Sequence, residues 1–178
     1  MSKRIALVGM PGSGKSTVGR LLARRLGVPV IDADTVIEDR IGCPIRTFFA
    51  EQGEPAFRDV EQAVLAELVA PADGAVLATG GGAVLREANR QQLRSHTQVV
   101  YLRSSPELIF QRVRHDRKRP LLQVDDPMAR LQALHAERDP LYREAAHLTV
   151  DTGRSSLQAL VGRLVSQLQR GGPQRGQG

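Results

Sequence analysis

The sequence predicts an α/β fold in three layers, with a five-stranded parallel sheet between two layers of helices. Short apolar runs rich in branched residues alternate with longer segments of helical periodicity, and the first run leads directly into a glycine-rich turn and a helix. The 178 residues suffice for one such domain, which would bury roughly 70% of the surface of the unfolded chain. Strands are predicted at 5–8, 28–31, 75–78, 98–102 and 148–150, and helices at 15–26, 34–41, 45–51, 55–69, 86–94, 105–114, 127–138 and 155–169.

The turn after the first strand, residues 9–16 (GMPGSGKS), matches the pattern G-x-x-x-x-G-K-[ST] at every fixed position. Its glycines allow successive N–H groups to turn toward a phosphate chain, and the following helix adds the positive end of its dipole. Lys15 is then expected to contact the β- and γ-phosphates of a nucleotide, and the Ser16 hydroxyl to bind Mg²⁺. The pattern therefore predicts a nucleotide-phosphate loop.

Two aspartates, Asp32 and Asp34, follow the second strand at alternating spacing. Ligands of parallel sheets collect beyond the carboxyl ends of the strands, so both carboxylates could reach one crevice. One would face Mg²⁺ and the other a substrate hydroxyl. The alternative is that one of them caps the next helix, and Asp34 is well placed for that.

The third strand ends in three consecutive glycines, Gly80, Gly81 and Gly82. Such a run suits close approach of the backbone to a ligand. A flexible turn is the alternative, and the position at a strand end favours a substrate-binding loop.

Two arginines in helical segments are ambiguous by themselves. Arg58, in the first turns of the fourth predicted helix, is either a solvated residue or a partner of Glu54 or Glu61. Arg138 is expected to complement the C-terminus of a helix that ends before Pro140. The aromatic residues nearest Arg58 are Phe49 and Phe57, which we interpret as core residues.

A basic segment, 112–119 (RVRHDRKR), lies between two helical patterns and has five cationic residues against one aspartate. A mobile cover that brings an arginine to a transferring phosphate needs such charge, because negative charge spreads over the phosphoryl oxygens. Arg119, beside the rigid Pro120, is the favoured residue. The alternative is a solvated charge run.

This segment and two arginines in 170–178 account for the net charge of +6, so the rest of the chain is near neutrality. With 3% aromatic residues and no tryptophan, the chain has few side chains that could stack on bases. We therefore expect no nucleic-acid partner. Residues 171–178 are expected to be a disordered tail.

The chain is expected to be cytoplasmic and to have no membrane partner. No apolar run approaches the ~20 residues needed to span a bilayer, and the residues before Ile5 are too few and too polar for a signal peptide. The single Cys43 excludes an internal disulfide and fits a reducing compartment.

Taken in chain order, five motifs resemble those of shikimate kinases over about residues 4–150: GMPGSGKST, DAD, GEPAFRDVE, TGGG with RPLL, and ERDPLY. The resemblance implies a P-loop kinase fold with one domain over 1–170, a substrate-binding segment at about 33–61 and a lid at about 112–124. It also implies a cytoplasmic monomer that uses ATP and Mg²⁺ to phosphorylate the 3-hydroxyl of shikimate in aromatic amino acid biosynthesis.

The same resemblance implies a role for individual residues. The catalytic positions are Lys15, Asp34 and Arg119. The nucleotide-binding positions are Gly12, Ser13, Gly14, Lys15, Ser16, Thr17, Arg112, Arg119 and Arg154, with Arg112 against the adenine. The shikimate-binding positions are Asp34, Arg58, Gly80, Gly81, Gly82 and Arg138, with the two arginines on the carboxylate. The metal positions are Ser16 and Asp32, the latter ordering Mg²⁺ through water.

Two other functions are compatible with parts of the sequence. A related small-molecule kinase, for gluconate or a nucleoside monophosphate, would share the phosphate loop. A nucleotide-binding or nucleic-acid-binding protein without turnover would use the basic segment and the tail.

Overall fold

A computed structural model of the chain describes residues 3–115, 123–153 and 155–170. Within these ranges the chain forms five strands and eight helices. In chain order they are β1 (Arg4–Val8), α1 (Lys15–Leu26), β2 (Val30–Asp32), α2 (Ala33–Ile41), α3 (Ile45–Gln52), α4 (Glu54–Val69), β3 (Val76–Ala78), α5 (Glu87–His96), β4 (Thr97–Arg103), α6 (Pro106–Val113), α7 (Pro127–Ala145), β5 (Leu148–Asp151) and α8 (Leu157–Arg170).

The five strands form one parallel sheet in the order β2-β3-β1-β4-β5. Strand β1 is central, with Ala6 beside Leu77 of β3 on one side and Val99 of β4 on the other. The predicted fold class is confirmed. Because all strands are parallel, the loops that follow β1, β2 and β3 leave the same edge of the sheet.

Alternate side chains of β1 enter two separate cores, one on each face of the sheet. The sheet therefore lies between two layers of helices. Ile5 and Leu7 belong to a core that α1 and α8 cover, whereas Ala6 and Val8 belong to one that α5, α6 and α7 cover. A strand buried on both faces needs a continuous apolar run, which is the pattern in the sequence.

Strand β2 begins at Val30, two residues later than predicted. The Val28 N–H donates to the Ala23 carbonyl at the end of α1, and Pro29 offers only its carbonyl, which accepts from the Val76 N–H. Val28 therefore completes the end of α1, and Pro29 contributes only its carbonyl to the sheet.

The prediction that the seventh helix ends at 138 is wrong, because α7 continues through Pro140 to Ala145. A proline inside a helix costs roughly 3 kcal/mol through the lost hydrogen bond and the ring clash. Tyr142 and Ala145, in the turns beyond Pro140, are fully buried in the core. Tertiary packing of these two side chains offsets the proline and keeps Arg138 inside the helix.

No helix among the residues that the structure describes is long and apolar enough to cross a membrane. The predicted tail 171–178, the lid residue Arg119 and Arg154 lie outside the described residues.

Candidate active site

The phosphate loop after β1 has the backbone that its glycines predict. Gly12 and Gly14 have φ of 82° and 93°, in the left-handed region that disfavours side chains, and α1 begins directly after Gly14. The buried Lys15 ammonium donates to the carbonyls of Gly9 at 2.7 Å and Met10 at 2.9 Å. The positive end of α1 and this cation therefore lie on one concave turn, which is an anion site.

Asp32, at the end of β2, has two separate contacts. Its Oδ1 accepts from the N–H groups of Asp34 and Thr35, at 3.0 and 3.3 Å, and so caps α2. Its Oδ2 accepts from the Ser16 hydroxyl at 3.1 Å. The capping role, which the sequence left open for either aspartate with Asp34 well placed, thus belongs to Asp32.

The Ser16–Asp32 pair fits a Mg²⁺ ion. A hydroxyl and a carboxylate beside a phosphate loop are the hard oxygen ligands that Mg²⁺ takes, together with water and nucleotide phosphates. In the described part of the chain no group of three or more His, Cys, Asp or Glu side chains could hold a metal by itself. The described residues thus offer few ligands, as expected for an ion that arrives with a nucleotide.

Asp34 has a strongly perturbed carboxyl group. Its pKa is raised from 3.8 to about 6, mainly by burial and also by the neighbouring charges of Asp32 and Glu61, while the Lys15 cation opposes the rise. A carboxyl group of this kind, at a strand end beside a phosphate loop, is typical of a functional site.

Arg58 is largely buried and held on two sides by acidic residues of its own helix. Its Nη1 donates to Glu61 at 2.9 Å and its Nε to Glu54 at 3.3 Å. Burial raises the pKa of Glu61, and the Arg58 cation opposes that rise. The interpretation of Arg58 as a partner of Glu54 or Glu61 is therefore confirmed for both, and the pairing fixes the direction of its guanidinium.

Each glycine of the run after β3 lies against a different functional group. A β-carbon on Gly80 would be 2.8 Å from Oδ1 of Asp34, and one on Gly81 would be 2.6 Å from Cδ of Pro11 in the phosphate loop. One on Gly82 would overlap the Arg58 guanidinium, 2.6 Å from its Cζ. The glycines are needed here for close approach of other groups to the backbone.

These groups border one cleft of about 410 Å³ between the phosphate loop, α4 and α7. The lining residues are Pro11, Asp34, Ile45, Phe49, Phe57, Arg58, Glu61, Gly80, Gly81, Gly82, Arg130, Leu134 and Arg138. The volume suits a small molecule. Its wall has three arginines and two carboxyl groups, of which Glu61 is already paired with Arg58, and this set favours a ligand with a carboxylate and a hydroxyl.

Arg112, expected against an adenine ring, connects the phosphate loop to the loop after β5. Its Nη1 donates to the Ser13 carbonyl at 3.2 Å and its Nη2 to the Thr152 carbonyl at 3.4 Å. The Thr152 hydroxyl in turn lies 2.5 Å from that of Ser104. Arg112 therefore stands at the edge of the phosphate loop, apart from the cleft.

Comparison with known proteins agrees with this geometry. A family model for shikimate kinase matches residues 11–169.

The chain belongs to the shikimate kinase family.

A shikimate kinase from Paracidovorax citrulli is 57% identical over 170 residues, which are 94% of this chain and 93% of that protein. A shikimate kinase from Acinetobacter baumannii, solved in complex with shikimate, is 42% identical with a TM-score of 0.90, over 97% of this chain and 96% of the other. A gluconokinase from Sinorhizobium meliloti is 20% identical with a TM-score of 0.59, over 94% of this chain and 92% of the other, and shares the fold alone.

The protein is therefore a phosphotransferase of the shikimate pathway. Like its family, it transfers the γ-phosphoryl group of ATP to shikimate with Mg²⁺, in the biosynthesis of aromatic amino acids. This agrees with the phosphate loop and the arginine-lined cleft on one edge of its sheet.

Sequence reasoning missed Ile45, Arg130 and Leu134 of the cleft and interpreted two other lining residues in part. Arg130 lies eight residues before Arg138 on α7, and this spacing on one helix face was the available signal. Phe49 and Phe57 pack in the core with Ile37, as predicted, but they also line the cleft.

Proposed function

We propose that the cleft holds shikimate with its carboxylate on Arg58 and Arg138 and its reacting hydroxyl beside Asp34. The observation that carries the proposal is that these groups border one cavity with Pro11 of the phosphate loop. A planar guanidinium can pair with a carboxylate through two hydrogen bonds, and two such groups select strongly for an acid.

Asp34 would accept a hydrogen bond from the hydroxyl and align it with the γ-phosphate. A carboxyl group with a pKa of about 6 is ionised at neutral pH and is a better proton acceptor than an ordinary aspartate. Positioning and electrostatics supply most of phosphoryl-transfer catalysis. Orientation of the hydroxyl is therefore the main role that we propose for Asp34.

Gly12, Ser13, Gly14, Lys15, Ser16 and Thr17 would bind the phosphates of ATP. Lys15 would exchange its contacts with two loop carbonyls for the β- and γ-phosphates. Ser16 and Asp32 would hold Mg²⁺, which neutralises charge on the phosphates when it is bound. Motion of Lys15 from carbonyls to phosphate is the local change that nucleotide binding requires.

Arg112, Arg119 and Arg154 would complete the nucleotide site, with 112–124 as a lid. The contacts of Arg112 with the phosphate loop and the loop after β5 support its part. Motif similarity supports the other two. A closing lid that carries an arginine would exclude water and limit hydrolysis of ATP.

We further propose one domain over 1–170, with the substrate-binding segment at about 33–61, acting as a cytoplasmic monomer. The lining residues of the cleft include residues of the phosphate loop, α3, α4 and α7, which supports a single domain.

The test is ADP release measured with shikimate, gluconate and nucleoside monophosphates as acceptors. We expect only shikimate to stimulate ADP release.

Lys15→Ala should abolish turnover. Arg58→Ala should raise the KM for shikimate by at least tenfold, because the shikimate carboxylate then loses a charged partner. Arg40→Ala, which breaks an exposed pair with Glu67 outside the cleft, is the control. Stimulation by another acceptor alone, or a kinetically silent Arg58→Ala, would contradict the proposal.

A further inference from the structure

The buried Tyr142 hydroxyl donates a hydrogen bond of 2.6 Å to the Gly81 carbonyl, in the middle of the glycine run of the cleft. The neighbouring carbonyls serve the turn itself, since that of Gly80 accepts from Ala83 and that of Gly82 accepts from Leu85. The three glycines have no side chains of their own, and the nearest side-chain anchor before them is the Thr79 hydroxyl, which donates to the Leu7 carbonyl at 2.8 Å. Tyr142 is thus the side chain that ties the central peptide of the run to the protein core.

Tyr142 also lies beside one of the proposed carboxylate-binding arginines. It follows Arg138 by four residues on α7, so the two side chains share a helix face. Burial raises the pKa of Tyr142 to about 12, while contact with the Arg138 cation works against that rise. The hydroxyl therefore lies between the glycine run and Arg138.

Core packing fixes the position of the Tyr142 ring. It is fully buried and packs on Tyr101 with a centroid distance of 4.9 Å. The Tyr101 hydroxyl points elsewhere, donating to Asp139 at 2.7 Å. The two tyrosines thus share one packing environment but differ in what their hydroxyls hold.

We propose that Tyr142 is a positioning residue for shikimate, setting the glycine run at a fixed distance from Arg138. The inference rests on the proposed function of the cleft. Without this bond the Gly81 carbonyl loses its partner, and the loop that abuts Pro11, Asp34 and Arg58 loses its anchor. The consequence falls on acceptor binding, because the nucleotide phosphates are held by other residues.

The first test compares Tyr142→Phe with Tyr101→Phe. Each variant removes one buried hydroxyl, so both are expected to lower the melting temperature to a similar degree. Only Tyr142→Phe should raise the KM for shikimate, by roughly fivefold to twentyfold, with the KM for MgATP within about twofold of the wild type. Equal KM values for shikimate in the two variants would overturn the proposal.

The second test needs no substitution at Tyr142. The chain has two tyrosines, so uniform 3-fluorotyrosine labelling gives two fluorine environments, assigned with Tyr101→Phe. Saturation with shikimate should shift the Tyr142 resonance and leave that of Tyr101 in place. A Tyr142 resonance that does not move would overturn the inference even if Tyr142→Phe fails to fold. Failure of the proposed function is distinct, because Arg58→Ala would then leave the KM for shikimate unchanged.

Discussion

Gly82 and Arg58 lie side by side on the wall of the cleft, so close that a β-carbon on Gly82 would be 2.6 Å from Cζ of Arg58. The guanidinium has little room to retreat, because Glu54 and Glu61 hold it from its own helix. The position of the Arg58 guanidinium, the proposed carboxylate-binding cation, therefore depends on the absence of a side chain at Gly82 as well as on Glu54 and Glu61.

We expect Gly82→Ala to raise the KM for shikimate at least tenfold with the KM for MgATP nearly unchanged. The φ of Gly82 is not positive, so alanine fits the backbone and the effect comes from displacing Arg58. Gly162→Ala in α8 is the control, because its β-carbon would meet only Nη1 of Arg25 at an ordinary 3.8 Å and should stabilise the helix by about 1 kcal/mol. Steady-state kinetics decide, and a wild-type KM in Gly82→Ala would refute the contact.

The Asp34 carboxyl group should titrate near pH 6 in the nucleotide-free protein. Burial is the main cause, and the Asp32 charge adds to it, so Asp32→Asn should move the midpoint to lower pH. Since an ionised carboxylate is the better acceptor, kcat/KM for shikimate should fall as the pH is lowered and Asp34 gains its proton. Carbon-13 NMR of labelled aspartates measures the midpoint. A signal that persists in Asp34→Asn would show that another residue was observed.

Asp34→Asn should abolish turnover yet stabilise the fold at neutral pH. The pKa of about 6 in the folded protein exceeds the ordinary 3.8, so the folded state binds the proton more tightly. Stability therefore falls as the pH rises between these values and stays lowered above them. The gain for Asp34→Asn should reach at most about 3 kcal/mol at pH 7.5 and about half of that at pH 5.

Urea unfolding at the two pH values measures this difference. Asp39→Asn, an exposed position on the same helix, is the matched control and should change stability by less than about 0.5 kcal/mol. Equal stability of Asp34→Asn and the wild type at pH 7.5 would argue against a buried, destabilising charge.

Asp32→Asn should keep the helix cap that Asp32 provides but weaken its contribution to Mg²⁺ binding. The amide oxygen can still cap α2, so the melting temperature should stay near that of the wild type. The anionic oxygen beside Ser16 is lost, so the Mg²⁺ concentration for half-maximal activity should rise several-fold. Asp32→Ala should show the same Mg²⁺ effect and an added loss of about 1 kcal/mol in stability. Unchanged Mg²⁺ dependence in both variants would remove Asp32 from the metal site.

Much of the site was predictable because its residues follow strand ends in a recognisable order. A parallel sheet brings its carboxyl ends to one edge, so the phosphate loop, Asp34 and Gly80 had to meet once the sheet was inferred. The five motifs then indicated the acceptor. Arg58 and Arg138 were assigned through that likeness, since neither residue is distinctive on its own helix.

The amino-acid sequence by itself determined the three-layer fold, the nucleotide loop and the family, because these depend on local pattern and order. Only the tertiary structure decided that Asp32 caps α2, that α7 passes through Pro140, and that Tyr142 holds the Gly81 carbonyl. The cap is a local contact that follows from where α2 begins, whereas the other two depend on packing between segments distant in the chain. The burial of Tyr142 offsets the free-energy cost of a proline inside α7, and this compensation cannot be predicted from the spacing of residues in the sequence.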